Sequence, residues 1–482
     1  MALEIIGRER EIERLQRCME EKEAQLVVVY GRRRIGKTYL IDTVFEKKYD
    51  FTFVGAHKLN REAQLDNFAN EIQLQTGQSK PKIKNWRDAF VILRQYLSSL
   101  DYSKKRIVFF DELPWMETHK SHFLDSFEWF WNSWGSKQDN LIMIVSGSAT
   151  SWMNKKISDN KGGLFNRQTC RLYLEPFTLY ETEKYLNWRG IYWSRIDIAE
   201  CYMITGGIPY YLRLLNPNLL FRENIDNLFF KKRGELWDEF SHLYHTLFEN
   251  GDQYAKVAEV LSKKGRGLTR KELGEMTGFS SSKTLTKILN DLIVSGFVRV
   301  EPYYGHKKKD TVYQLCDYYT LFYFRFIKNR YGIDESFWSK SFDHLSRRVW
   351  CGLTFELLCK DHVKQIKQAL GILGVTTETF GWYQIGKQME DGERRGAQID
   401  MVLERRDMSI NICEMKFSMN EFEIDKDYNM NLRNKIEAFR LATKTQKTLA
   451  LTMVTTFGVK KNKYGGIVNS QVVLDDLFKD VK

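Results

Sequence analysis

The segment that most restricts the fold is a strand running into a glycine-bounded turn. Gln25-Leu-Val-Val-Val-Tyr30 is apolar, rich in β-branched residues and of strand length, and it passes directly into Gly31-Arg-Arg-Arg-Ile-Gly36-Lys37-Thr38. The spacing G-x-x-x-x-G-K-[ST], entered from a buried strand and left by a helix, makes a phosphate-binding loop. Its two glycines let successive backbone N–H groups turn toward phosphate oxygens, and the following helix adds its positive end. Lys37 contributes a point charge at the β- and γ-phosphates, and Thr38 a hydroxyl for Mg²⁺. The spacing therefore predicts an ATP site built from Gly31, Arg32, Arg33, Arg34, Ile35, Gly36, Lys37, Thr38 and Tyr39.

A parallel α/β sheet is expected around that loop. Apolar runs at 51–54, 106–110 and 141–145 alternate with helical stretches, the rhythm of strands covered on both faces. The run from Arg106 ends in Asp111-Glu112, where Asp111 would orient Mg²⁺ and Glu112 would polarise the attacking water. Ser146-Gly147-Ser148 follows the next run, and Ser148 is the expected sensor of the γ-phosphate. A phosphate loop together with paired carboxylates points to hydrolysis as well as binding.

These residues together resemble the P-loop ATPases of the AAA+/STAND type known as archaeal-type ATPases, the ATPase_2 family. The likeness includes Ile6-Gly7-Arg8-Glu9, Leu164-Phe165-Asn166-Arg167 ahead of Leu174-Glu175-Pro176, and Thr205-Gly206-Gly207-Ile208-Pro209. It covers residues 1 to about 330. The resemblance implies that Gly7 and Arg8 cover the adenine and that Pro209, in a helical lid, meets the base. It also implies that Arg167 serves as a finger or sensor arginine and that the chain can form homo-oligomers. Asn166 stands where the family pattern usually has glycine.

With 482 residues the chain is long enough for several domains. Changes of pattern divide it into a core at 1–175, a helical lid at 176–250, a winged helix-turn-helix at 251–330 and a further α/β domain at 331–482. There is no signal-peptide layout and no run of apolar residues of spanning length, so a cytoplasmic protein without a membrane partner is expected. Seven cysteines, never in a Cys-x-x-Cys pair, argue against a disulfide framework or a cysteine zinc site. The net charge of +12 is concentrated, with 12 Lys or Arg against 6 Asp or Glu between Gln253 and Asp310.

Within that basic segment, Thr269 and Glu272 form a capping-box start, and Ser280 to Ser282 precede a helix. Leu285, Ile288, Leu289, Leu292 and Ile293 share one face of it, while Lys283, Thr286 and Lys287 share the other. A hairpin with the basic turn Lys307-Lys308-Lys309 completes the winged-helix pattern. Lys283, Thr286, Lys287, Lys307, Lys308 and Lys309 are the expected contacts to DNA.

A second chemical pattern follows residue 331. Gly396-Ala-Gln-Ile-Asp400-Met-Val-Leu403 and Ser409-Ile-Asn-Ile-Cys-Glu414-Met-Lys416 read as two strands joined by a turn. That hairpin would set Asp400 beside Glu414, and strand alternation puts Glu414 and Lys416 on one face. Asp400 and Glu414 could hold Mg²⁺ or Mn²⁺ while the lysine stabilises charge developing in phosphodiester cleavage. The arrangement resembles the PD-(D/E)xK nuclease superfamily and the related DUF234 region that follows archaeal-type ATPase cores. By that resemblance Glu356, in Gly352-Leu-Thr-Phe-Glu-Leu-Leu358, takes the acidic helix position, and Glu356, Asp400, Glu414 and Lys416 become the catalytic set of a restriction-endonuclease-like α/β fold. No proline stands immediately before Asp400. Two readings stay open: an ATP-controlled, metal-dependent nuclease acting on DNA, or a nucleotide-dependent switch whose nuclease-like domain only binds.

Overall fold

The computed structural model describes residues 5–158, 164, 166–279, 283–305, 311–328, 334–388 and 394–481. The chain divides into two compact units. One holds residues 1–176 with 247–249, and the other 177–246 with 250–482.

In the first unit the strands are β1 (Gln25–Tyr30), β2 (Phe51–Val54), β3 (Arg106–Asp111), β4 (Leu141–Gly147) and β5 (Cys170–Tyr173). They form one sheet in the order β2-β3-β4-β1-β5, with every pairing parallel. Strands β1, β3 and β4 are buried along their whole length, as a parallel sheet covered by helices on both faces demands. The helices Arg61–Thr76 and Trp86–Ser99 start on Asn60 and Asn85, whose side chains accept a backbone N–H of the first turn. They pack an aromatic core of Phe51, Phe68, Trp86, Phe90, Phe110 and Phe127, all without exposure. This rigid layer fixes the ends of β1, β3 and β4, where the chemistry-bearing residues lie.

The second unit begins with the helices Leu179–Trp188 and Arg195–Thr205, capped by Thr178 and Ser194. Gly206 and Gly207 follow, both with φ near 64°. A Cβ on Gly207 would stand 2.3 Å from the Phe177 carbonyl oxygen, so only glycine fits that turn. Three helices, Gly251–Ser262, Arg270–Thr277 and Lys283–Val294, then lead to an antiparallel sheet of β6 (Leu268–Thr269), β7 (Val298–Glu301) and β8 (Val312–Leu315), ordered β6-β8-β7. Thr269 and Glu272 make the expected capping box. The last part is a five-stranded sheet of β9 (Thr377–Gln388), β10 (Arg394–Arg405), β11 (Ser409–Lys416), β12 (Thr448–Thr455) and β13 (Ser470–Val473). Its order is β13-β12-β11-β10-β9, antiparallel from β9 to β11 and parallel from β11 to β13. The helix Lys426–Thr443 makes the crossover from β11 to β12, and its Leu432 and Phe439 bury against Ile399, Val402, Ile410 and Ile412.

The two sheets of the second unit are joined. Tyr303 bridges to Gly381, with Tyr304 donating its N–H to the Gly381 carbonyl at 2.9 Å and Gly381 donating to Pro302 at 2.9 Å. Arg299 and Glu301 of β7 pair with Asp361 and Lys360 at the end of the helix Leu345–Asp361. That helix is anchored by a buried ion pair between Arg347 and Glu200, 2.5 Å apart. It is also the helix that carries Glu356. Among the described residues, no helix is long and apolar enough to cross a membrane.

Candidate functional site

The loop after β1 is shaped by its glycines. Gly31 has φ 147°, and a Cβ there would lie 2.5 Å from the Leu174 carbonyl oxygen. Gly36 has φ 87° and caps the helix Lys37–Val44, with nothing within 4 Å of a Cβ built on it. Left-handed backbone, not crowding, therefore demands glycine at 36. Lys37 is 6% exposed and donates to the Gly31 and Arg32 carbonyls at 3.2 Å each. Burial pushes its ammonium below the usual lysine range, while Glu112 and Asp111 hold it up. Arg32 and Ile35 are buried, Arg33 and Arg34 half-buried, and Tyr39 is exposed.

The ends of β3 and β4 meet this loop. Thr38 Oγ1 donates to Asp111 Oδ2 at 2.8 Å, and Ser146 donates to Asp111 Oδ1. Glu112 has left-handed backbone with φ 50°. Its Oε2 accepts from Ser148 Oγ at 2.8 Å and from the Ser148 N–H at 3.1 Å. Each carboxylate thus has its own serine, both from β4 and the turn after it. Hard oxygen donors at Thr38 and Asp111 suit Mg²⁺, which is commonly held by one or two protein oxygens plus phosphates.

The other residues expected at this site are placed as follows. Gly7 and Arg8 form a left-handed turn, φ 73° and 68°, ahead of the helix Glu9–Glu20. Arg8 is buried, donates to the Glu175 carbonyl, and lies 3.9 Å from Glu11. Arg167 is exposed in a turn beside Asn166. Pro209 belongs to the other unit, where it opens the short helix Pro209–Arg213.

In the basic segment, Leu285, Ile288, Leu289 and Leu292 bury one face of the helix Lys283–Val294, with Ile293 half-buried, and Lys283, Thr286 and Lys287 are exposed on the other. Thr286 accepts a hydrogen bond from Arg270 at 2.7 Å. Lys307, Lys308 and Lys309, and Ser280 to Ser282, lie outside the described residues.

In the C-terminal sheet, β10 and β11 pair from Glu404↔Ile410 to Met401↔Cys413, with Asp400 and Glu414 the next residues beyond the ladder. A bulge in β10 falls between Ile399 and Val402. Bulges re-aim side chains, and this one spans Asp400 and Met401. Asp400 Oδ2 accepts the Met415 N–H at 2.9 Å and lies 3.7 Å from Lys416 Nζ, which is 3.6 Å from Glu414 Oε2. Burial lowers the Lys416 ammonium, but Asp400 and Glu414 outweigh it and hold the group above its usual range. Glu356 approaches the same group from its helix. Burial, then Asp400, push its carboxyl up to about 8, with Lys416 and Lys360 opposing.

Two further residues complete this site. Lys435, on the crossover helix, donates to both oxygens of Glu414 at 2.7 and 2.8 Å, and Tyr428 donates to Oε2 at 3.3 Å. Glu414 itself is fully buried. Among the described residues no group of three or more His, Cys, Asp or Glu side chains is arranged to hold a metal ion. The donors are of the hard-oxygen type, but a cation at Glu414 has to displace the Lys435 ammonium.

Residues 5–215 match the family described as an ATPase domain predominantly from Archaea. An uncharacterized protein of Methanocaldococcus jannaschii is 24% identical over 428 residues, covering 88% of this chain and 90% of that protein. An uncharacterized ATP-binding protein of the same organism is 46% identical over 43 residues, 9% of this chain and 73% of that one. Among solved structures, the Walker-type ATPase of Pyrococcus abyssi is similar with a TM-score of 0.47 and 16% identity, over 67% of this chain and 100% of that chain.

Proposed function

We propose, from the premise that residues 5–215 are an ATPase domain of the predominantly archaeal family, that the first unit hydrolyses ATP with Mg²⁺ and that the second acts on nucleic acid. The observation that carries the first part is the division of labour between Asp111, held by Thr38 and Ser146, and Glu112, held by Ser148. On binding MgATP, Lys37 leaves the Gly31 and Arg32 carbonyls for phosphate oxygens. Thr38 and Asp111 would hold Mg²⁺, which would neutralise charge on the phosphates. Glu112, released from Ser148, accepts the proton of the attacking water, and Ser148 is left facing the γ-phosphate. Phosphate release from ATP by the full chain, lost in Glu112→Gln while ATP is still bound, tests this reading.

In the second unit we read the segment 251–330 as a winged helix that meets DNA through Lys283, Thr286 and Lys287, and the C-terminal sheet as a nuclease-like domain. The support is the convergence of Glu356, Asp400, Glu414 and Lys416 from one helix and two paired strands. Asp400 and Glu414 would hold Mg²⁺ or Mn²⁺, which would supply Lewis-acid stabilisation of a phosphodiester. Burial, then Asp400, push the Glu356 carboxyl up to about 8 even with Lys416 and Lys360 opposing, so added positive charge there would favour its ionised form. Lys416 then neutralises charge developing on the phosphate. One observation favours a second reading. Lys435 saturates Glu414, as it would in a domain that binds nucleic acid without cutting it. Cleavage of labelled single-stranded, duplex and branched DNA and of RNA in Mg²⁺ or Mn²⁺, with Lys416→Ala as the control, separates the two.

A further inference from the structure

A pocket of about 370 Å³ opens where the middle segment meets the C-terminal sheet. Arg266 and Tyr303 line one side of it, and Tyr383, Gln384, Gly396 and Gln398 the other. Its walls are fixed by backbone rather than by loose side chains. Tyr303 is bridged to Gly381, and a Cβ at 381 would stand 3.1 Å from the Tyr303 ring. Tyr383 and Gln398 are register partners across β9 and β10. The two tyrosine rings stand edge to face, 4.9 Å apart at 86°. Arg266 lies 5.8 Å from the Tyr383 ring centroid, is about half exposed, and holds Glu272 at 3.6 Å. The Tyr303 hydroxyl donates to the Arg266 carbonyl at 3.3 Å.

The chemistry of this lining is selective. Aromatic rings and a guanidinium plane stack on a planar base. Two carboxamides, of Gln384 and Gln398, offer donors and acceptors to the edge of that base, and Gly396 beside them is exposed. Among the described residues the lining carries one cation, Arg266, and no acidic side chain, which suits a ligand that bears a phosphate. The volume lies at the low end for ligand pockets, roughly 300 to 1,000 Å³, which suits one nucleotide and not a base pair. The pocket also adjoins the carboxylate site. Gln398 lies two residues before Asp400 on β10.

We infer that this pocket takes an unpaired nucleobase of a single strand, so that the phosphate following that base is presented to Asp400, Glu414 and Lys416. The inference rests on reading the second unit as acting on nucleic acid, and it adds the substrate class: a strand with at least one unstacked base. Base contacts to single strands are made by such stacking platforms, whereas a duplex keeps its base faces covered.

Fluorescence anisotropy of the full chain in EDTA, without cleavage, tests it. The probes are a labelled strand of roughly 12 nucleotides, its duplex, and dAMP as a free-nucleotide competitor. Tyr383→Ala is expected to weaken strand binding about tenfold, Tyr383→Phe to keep it within about twofold, and the duplex to respond to neither. ATP turnover and the melting curve serve as fold controls. If Tyr383→Ala fails them, Gln398→Ala at an exposed position carries the test, with a loss of about threefold expected. Equal binding of strand and duplex, strand affinity indifferent to Tyr383 and Gln398, or complete displacement of the strand by dAMP at matched nucleotide concentration each overturns the inference. Strand binding that depends on Tyr383 without any metal-dependent cutting leaves the pocket standing and removes the nuclease reading. Cutting that ignores Tyr383 does the reverse.

Discussion

Ser148 gives both its hydroxyl, at 2.8 Å, and its backbone N–H, at 3.1 Å, to a single oxygen of Glu112. The neighbouring carboxylate, Asp111, takes no part in that pair and is bound instead by Thr38 and Ser146. Glu112 reaches Ser148 from a left-handed backbone at φ 50°, a conformation that costs a non-glycine residue about 1 to 3 kcal/mol. Strain of that size persists where surrounding contacts fix it, and the Ser148 hydrogen bonds are two of those contacts. The residue proposed to handle the attacking water is therefore held by the residue proposed to sense the γ-phosphate.

That coupling makes Glu112 and Ser148 separable by mutation. Glu112→Gln keeps both acceptor bonds from Ser148 possible but removes the base, so ATP should bind normally while turnover falls by about 10² to 10⁴, the usual worth of a general base. Ser148→Ala removes the hydroxyl and leaves the N–H in place, so turnover should fall by about tenfold, the worth of one hydrogen bond to a charged group. Single-turnover hydrolysis beside equilibrium nucleotide binding distinguishes the two effects. Normal turnover in Glu112→Gln would remove that carboxylate from the chemistry.

Lys37 is the cation of the loop, and its present acceptors are two loop carbonyls at 3.2 Å. Lys37→Ala gives those carbonyls up and leaves the phosphates without their point charge. Charge-assisted hydrogen bonds are worth roughly 1.5 to 3 kcal/mol each, so ATP affinity should drop by about 100-fold or more. Filter binding of labelled ATP by the full-length variant measures this. Undiminished affinity would refute the assignment of the loop.

The parts legible in the sequence are those built from local chain. A strand, a glycine turn and a helix follow one another in the phosphate loop, so spacing alone fixes Gly31, Gly36, Lys37 and Thr38. A hairpin is equally local, and the β10–β11 ladder ends at Met401↔Cys413, which brings the neighbouring Asp400 and Glu414 together at Lys416. Lys435 and Tyr428 were not legible. They arrive on the crossover between β11 and β12, and Arg433, Lys435, Glu437 and Arg440 give that helix no charge pattern that singles out the one facing Glu414. Preferring Ser148 to Ser146 was equally beyond the sequence to settle, because each serine meets a carboxylate, Ser146 on β4 at Asp111 and Ser148 just past β4 at Glu112. The union of Tyr303 with Gly381 brings together strands 78 residues apart, and no pattern within either segment encodes it.

Lys435 decides how the C-terminal site is read. Glu414 is fully buried, and Lys435 holds both its oxygens. Lys435→Met removes the charge while keeping most of the volume, and leaving a buried carboxylate without its main partner costs roughly 3 to 5 kcal/mol. A divalent cation can replace the missing charge, and a ligand at 100 times its Kd contributes about 2.7 kcal/mol. The variant should therefore melt well below the wild type in EDTA and recover a large part of that loss in Mn²⁺, while the wild type responds little. A variant that is destabilised but indifferent to Mn²⁺ and Mg²⁺ would show that Glu414 is not a cation ligand, and the binding reading would then lead.

His362 sets a pH limit on the second unit. It is buried, its Nδ1 donates to the Leu358 carbonyl at 2.8 Å, and its Nε2 accepts the Leu179 N–H at 3.0 Å, at the start of the helix Leu179–Trp188. Burial pulls the imidazole below its usual range, against the Leu358 carbonyl, Asp361 and Glu181, which favour the charged ring, while the Tyr202 ring packs on it. The folded ring is thus neutral where an unfolded one, with a pKa of about 6.5, takes a proton. More protons bound in the unfolded state mean that stability falls as pH falls. The contribution is complete above about 6.5 and is lost as pH drops toward the depressed folded value, by at most about 1.4 kcal/mol per pH unit. Protonation also removes the lone pair that accepts from Leu179, so the loss should centre on that helix. Amide exchange of peptides covering 179–188, compared between wild type and His362→Gln at each pH, cancels the intrinsic pH dependence of exchange. Protection should fall faster below about pH 6.5 in the wild type, and identical pH profiles in the two proteins would show that His362 does not titrate in this range.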